Sequence, residues 1–214
     1  MSEEFIREVD EDVKEEKRMK LWKKLLPYII SLSLGIIFTT LGFVLWDDYT
    51  KKTKQQLGDD FTAAVELAKD EDIDAAIIAL NRIVDKGSDG YVTMAKMKKA
   101  SLLIEQGNLE DGLDIYLDLE KNAVDQSFRD IATILYVINS IGISDVNSLL
   151  LKIEPLENSL IWKSSALELK GYIYLQNNEK DKALEIFKSI DLMPNKPSSL
   201  GLRAKNMIDF LGKN

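Results

Sequence analysis

The 214-residue sequence contains no histidine and no cysteine. Ser-His-Asp and Cys-His catalysis, and the usual zinc sites, are therefore excluded at the outset. No disulfide can form, which fits an oxidising compartment as readily as a reducing one. Only four prolines occur, and no alternating β-branched runs lie between turn signals, so the chain reads almost wholly as helix. There is no Walker A loop and no dinucleotide fingerprint. The GSDG at positions 87–90 lacks the lysine and the following helix signature, and reads as a turn between hairpins. A net charge of −8 argues against nucleic acid as a partner, since phosphate binding needs clustered lysine and arginine. KDEDID, Lys69 to Asp74, lacks the glycine and terminal glutamate of an EF-hand loop. It reads instead as a solvated turn whose acids cap the next helix. Nothing places two carboxyls in a shared apolar pocket. The sequence thus gives no ground for an enzyme and implies no cofactor or metal.

What the sequence does contain is one long uncharged run. Leu25–Trp46 carries 22 residues without charge, and a helix crossing about 30 Å of hydrocarbon needs about 20. Ser31, Ser33, Thr39 and Thr40 within it can return their hydroxyls to the helix's own carbonyls. Pro27 is expected in the first turn, where its missing N–H costs nothing. Trp22 and Trp46 bracket the run, as amphipathic rings do at headgroup level. The run is too long for a signal peptide and no small-residue cleavage pattern follows it. These features predict a retained transmembrane helix in the bilayer.

Basic residues set its direction. Seven lysines and arginines stand in Met1–Lys24, against Lys51, Lys52 and Lys54 after the run, which puts the N-terminus in the cytoplasm. The expected organisation is a cytoplasmic tail at 1–24, the span at 25–46, a linker at 47–56 and an outer domain at 57–214. The tail has a narrow apolar stripe, Phe5, Ile6, Val9 and Val13, but so few apolar groups favour a solvated, mostly disordered segment. Ser31, Gly35 and Thr39 repeat every four residues, with Gly42 near the same face. Small residues so spaced let a second helix approach closely.

The outer domain is self-similar. Ala100–Leu119 and Gly171–Ile190 both run small residue, apolar helix, polar turn, charged residues, small residue, then an aromatic four later. Their offset is 71 residues, two units of 35–36. Ala64, Ala76, Leu80 and Ile83 match a further unit, 36 residues before Ala100, Gly112, Tyr116 and Leu119. The remaining unit offers Tyr136 and Ser148 but puts Asn139, Lys152 and Pro155 where apolar residues belong, so its register is either shifted by a residue or decayed. Small residues at Ala64/Ala76, Ala100/Gly112 and Gly171/Ala183 let paired helices touch. One hairpin cannot bury its apolar side alone, so neighbours stack. The predicted fold is all-α: one N-terminal transmembrane helix, then an α-solenoid of about four helix hairpins.

Gly171, Tyr174, Ala183, Phe187 and Pro194 resemble the small, aromatic, small, aromatic, proline pattern of tetratricopeptide (TPR) repeats. Leu167 and Lys170 depart from that pattern's tryptophan and leucine. With the segments DGYVTMAKMKKASLLIEQGNLEDGL and LELKGYIYLQNNEKDKALEIF, the whole layout resembles the YfgM-like ancillary subunits of the bacterial SecYEG translocon. The resemblance implies a single-pass inner-membrane protein with a periplasmic TPR-like domain. It further implies work beside SecYEG and a periplasmic chaperone on exported polypeptides. In TPR-like stacks the first helix of each hairpin lines the concave face. Transferring that phase puts Phe61, Val65, Met94, Met97, Ile104, Tyr172 and Leu175 on or near a groove for apolar peptides or a partner helix. For any one of these positions the reading as inter-hairpin core is the stronger. A scaffold for a fixed cell-envelope or division complex is the alternative function.

Overall fold

The computed structural model describes residues 2–86, 90–194 and 196–212, with side chains from Lys14 onward within those ranges. All regular structure among the described residues is helical: α1 (Ser2–Lys69), α2 (Ile73–Val84), α3 (Gly90–Glu105), α4 (Leu109–Asn122), α5 (Gln126–Ser140), α6 (Val146–Ile153), a 3₁₀ turn (Glu154–Asn158), α7 (Lys163–Gln176), α8 (Lys180–Asp191) and α9 (Ser198–Gly212). The chain divides into two units, Met1–Gln56 and Leu57–Asn214.

The first unit is helical, with no buried residue from Lys14 to Gln56. It holds the one helix, among the described residues, that is long and apolar enough to cross a membrane. Its large side chains stand open, from 43% exposed at Leu26 to 72% at Trp46. In water that much bare apolar area would be unfavourable by about 25 cal/mol per Å². The hydroxyls of Thr39 and Thr40 donate to the carbonyls of Gly35 and Ile36 at 2.8 Å each, as expected in an apolar setting. Two expectations are corrected. The tail backbone is helical from Ser2 rather than disordered, and so Pro27 lies inside a helix rather than in its first turn. An i,i+4 pair, Lys20 with Glu16 at 2.9 Å, favours helix where no burial does. The stripe Phe5 to Val13 lies outside the described side chains. Residues 47–56 are also helical, with Lys51 and Lys52 paired to Asp47 and Asp48 at 2.7 and 2.8 Å. The hydrogen bonds to those aspartates raise the pKa of both lysines.

The second unit begins at Leu57, in the last turns of α1, and builds four hairpins: Leu57–Lys69 with α2, α3 with α4, α5 with α6, and α7 with α8. α9 packs on α8. Each hairpin obeys one spacing. Ala64, Ala100, Val137 and Gly171 on the first helices stand 12 residues before Ala76, Gly112, Leu149 and Ala183 on the second, and all eight are buried. Tyr116, Ile153 and Phe187 fill the space one turn further on, at 0–1% exposure. The crossings are tight. A Cβ on Gly112 would lie 2.8 Å from the Ala100 carbonyl oxygen, and one on Gly171 would lie 2.7 Å from Cζ of Phe187.

Three of the four turns share one geometry. Glu71, Gly107 and Asn178, each seven residues after its small crossing residue, adopt φ of 63°, 89° and 60°. The next amide reaches back five residues in each case: Asp72 to Leu67, Asn108 to Leu103 and Glu179 to Tyr174, at 2.8–3.0 Å. That is the helix-ending arrangement glycine and asparagine favour. Asp72 then accepts from the Ala75 amide at 3.2 Å, so the acidic KDEDID run is a turn and an N-cap. Of the GSDG turn, only Gly90 lies within the described residues.

The third hairpin resolves the register ambiguity. Val137, Leu149, Ile153 and Leu156, all buried, stand 37 residues after Ala100, Gly112, Tyr116 and Leu119. They stand 34 before Gly171, Ala183, Phe187 and Ile190, so the 71-residue offset splits unequally and the unit is shifted, not decayed. Its turn differs as well. The left-handed residue, Gly142 (φ 85°), comes five rather than seven residues after the crossing residue, so α5 ends two residues early. The amides of Ile143 and Ser144 bond the Ser140 carbonyl instead.

Candidate functional site

No group of three or more His, Asp or Glu residues able to hold a metal occurs among the described residues. The displaced carboxyls are structural. Asp118 is held below the ordinary carboxylate range by hydrogen bonds from Asn122 and Lys96. Glu179 is lowered by Lys182 and Asn177. The half-buried charges join helices. Lys96 meets Asp118 across the second hairpin at 2.9 Å, and Lys152 on α6 meets Glu120 on α4 at 2.6 Å. Lys170 meets Glu157 at 2.8 Å, and Arg203 on α9 clasps Glu168 on α7 through two bonds of 2.6 and 2.7 Å. Lys152, anomalous in the sequence, also sits 5.0 Å from the Tyr136 ring centroid and so ties neighbouring hairpins together.

The seven groove candidates are all half-buried, and they fall in different clusters. Phe61 packs with Leu57, Leu80 and Ala95. Met97 and Ile104 pack with Tyr116, and Ile104 lies against Gly112 on the paired helix. Tyr172 and Leu175 belong to the cluster of Phe187, where the Tyr172 ring meets Phe187 edge-on at 5.5 Å. Burial raises the pKa of the Tyr172 phenol, with Glu168 adding to it. Val65 and Met94 are half-buried outside these clusters. In the first unit Ser31, Gly35, Thr39 and Gly42 are all exposed, and a Cβ on either glycine would meet nothing within 4 Å.

Sequence reasoning missed another feature. A cleft of about 590 Å³ opens between the start of α4, Tyr136 on α5 and the turn that follows α5. Leu109, Leu113 and Leu117 line it at i, i+4 and i+8 along α4, with Ile143 opposite at 65% exposure. The signal was present in two parts: the leucine spacing and the displaced glycine of the third unit.

An array of antiparallel hairpins with small residues at each crossing defines a helical-repeat module. The family model described as Tetratricopeptide repeat-like domain matches residues 19–191, and the chain belongs to that family. The match spans the apolar run as well as the hairpins. No curated protein matches the chain significantly. A domain of this family is a scaffold for binding proteins.

Proposed function

We propose that the chain is a single-pass inner-membrane protein, N-terminus cytoplasmic, whose periplasmic TPR-like domain recruits partners at the exit of the protein-export translocon. The observation that carries this reading is the presence, in one chain, of an exposed apolar helix long enough to cross a membrane and a TPR-like module. The excess of basic residues before Leu25 supports the orientation. The layout shared with YfgM-like subunits supports SecYEG and a periplasmic chaperone as partners. Function is then tethering: holding a binding surface near emerging chains raises local concentration without chemistry. Phe61, Val65, Met94, Met97, Ile104, Tyr172 and Leu175 form the first surface to test, and the small-residue face at Ser31, Gly35, Thr39 and Gly42 the contact with a neighbouring span.

Site-specific photo-crosslinking in membranes tests the reading. A translocon accessory cross-links to SecYEG and to many exported polypeptides; a fixed envelope scaffold cross-links to one or two folded proteins and overturns the proposal. Orientation is checked separately, because the chain has no native thiol. An impermeant maleimide on spheroplasts should label Lys180→Cys and spare Lys17→Cys.

A further inference from the structure

The cleft beside α4 combines three properties. Its floor is a stripe of leucines, Leu109, Leu113 and Leu117, faced by Tyr136. Its lining also includes Ile143, 65% exposed in the turn that follows Gly142. Its rim carries Glu110, Asp111 and Asp114, for which no basic partner is found among the described residues. The carboxylates that join helices elsewhere, Asp118, Glu120, Glu157 and Glu168, each hold a lysine or arginine. The acids of the first turn of α4 complement its helix dipole, but the dipole accounts for neither Asp114, on the second turn, nor the half-buried leucines beside it.

From this juxtaposition we propose that the cleft binds an amphipathic helix whose apolar stripe is flanked by lysine or arginine. The reasoning is geometric. Residues at i, i+4 and i+8 recur about every 6 Å along α4, so they form a straight apolar track of about 12 Å between α4 and the Ile143 wall. A second helix laid along that track offers its own i, i+3, i+4 stripe to it. Positions flanking the stripe then fall over the rim, where three carboxylates select basic side chains and reject acidic ones. An apolar ligand without charge would leave the rim unused, and an anionic one would be repelled. The inference rests on the protein-binding reading above but uses a different face: the second helix of one hairpin and the turn of the next.

The test uses the full chain in nanodiscs and two fluorescent helical peptides about 14 residues long. Both carry the same leucine stripe, one flanked by lysines and the other by glutamates. Fluorescence anisotropy should show the lysine peptide binding on the order of tenfold or more tighter than the glutamate peptide, with the difference shrinking as salt rises. Asp111→Lys with Asp114→Lys, both exposed positions, should reverse that preference. Ile143→Cys carrying a photoreactive maleimide should cross-link to the lysine peptide, and the same probe at Lys180→Cys should not. Equal binding of both peptides, or binding that ignores the charge reversal, overturns the inference. Loss of binding in Met94→Ser with Met97→Ser but not in the rim variant also overturns it, and leaves the protein-binding reading intact. Cross-linking to SecYEG that disappears while peptide binding persists would fail the translocon reading and leave the cleft standing.

Discussion

Gly171 offers the sharpest test of how the hairpins are packed. In Gly171→Ala the new methyl would stand 2.7, 3.0 and 3.1 Å from Cζ, Cε2 and Cε1 of Phe187. Phe187 is fully buried and pinned edge-on by Tyr172, so the ring cannot swing into solvent. Overpacking of this kind costs about 1–3 kcal/mol, while alanine in place of a helical glycine returns about 1 kcal/mol. The net expectation is a loss of about 1 kcal/mol, which lowers the melting temperature by about 2–4 °C for a domain of this size. Gly171→Leu, with three more methyl-sized groups and no further propensity gain, should lose more. A double-mutant cycle isolates the contact. Phe187→Leu alone leaves a cavity, but combined with Gly171→Ala it also removes the clash, so the pair should couple favourably by about 1 kcal/mol. Thermal melts of the full chain in nanodiscs, followed by circular dichroism, read all three. If Gly171→Ala raises the melting temperature and shows no coupling to Phe187, the close approach of α7 and α8 at this point is wrong.

Other substitutions isolate single terms. Gly107→Ala meets nothing within 4 Å but holds φ at 89°, so it should lose about 1 kcal/mol from backbone strain alone in urea unfolding; no loss would mean the turn relaxes. Ser140→Ala removes a fully buried hydroxyl that has no hydrogen-bond partner among the described residues and should raise the melting temperature, by about 1 kcal/mol in stability; a fall would show that the hydroxyl is satisfied in solution. Asp72→Ala deletes the cap on Ala75 and should cost about 0.5–2 kcal/mol. The lowered pKa of Asp118 implies stability present above the ordinary carboxylate pKa of 3.8 and lost as pH falls through its lower folded value. Asp118→Asn should therefore flatten the acid limb of a stability–pH curve below about pH 4, and an unchanged limb would remove Lys96 and Asn122 as its partners.

The fold was legible in the sequence wherever one small residue decides a crossing. Ala100 with Gly112 and Gly171 with Ala183 could be placed because few side chains permit two helices to touch, and because the aromatic one turn on has nowhere else to go. The apolar run was legible for a different reason, since length and absence of charge suffice. Helix ends were less so. The tail was expected to be disordered because it lacks apolar groups, yet its helical backbone needs only local i,i+4 pairs such as Glu16 with Lys20, whose small contributions do not show in composition. The groove candidates were set by phase alone. Phase says which way a first helix turns, but not whether a neighbour covers that side. Ile104 and Tyr172 turn out to lie against their own hairpin partners.

The third hairpin shows why a repeat's exception carries more information than its rule. Its crossing residues, Val137 and Leu149, keep the 12-residue spacing of the others, so the hairpin packs as its neighbours do. Leucine replaces the glycine or alanine of the second helix, which fits an interior filled with larger groups. What changes is the place where the first helix stops. Glycine tolerates positive φ at little cost, so Gly142 fixes the end of α5 two residues early, and the released chain must still span to Asp145, whose side chain caps α6 through the Ser148 amide at 2.9 Å. Because α6 starts at the same distance from the crossing as the other second helices, the turn is five residues long, 141–145, rather than three. Ile143 in this longer turn is exposed and lines the cleft together with the leucines of α4. Lys152 meanwhile takes the position that Ile115 and Ile186 hold in the neighbouring hairpins, and anchors to Glu120 and Tyr136, joining α6 to α4. A decayed repeat would leave unpaired charge and a loosened core. Here Val137, Leu149 and Ile153 are buried and the lysine is paired, while Ile143 stands exposed at the turn, so the departure from the repeat is confined to the turn rather than spread through the hairpin.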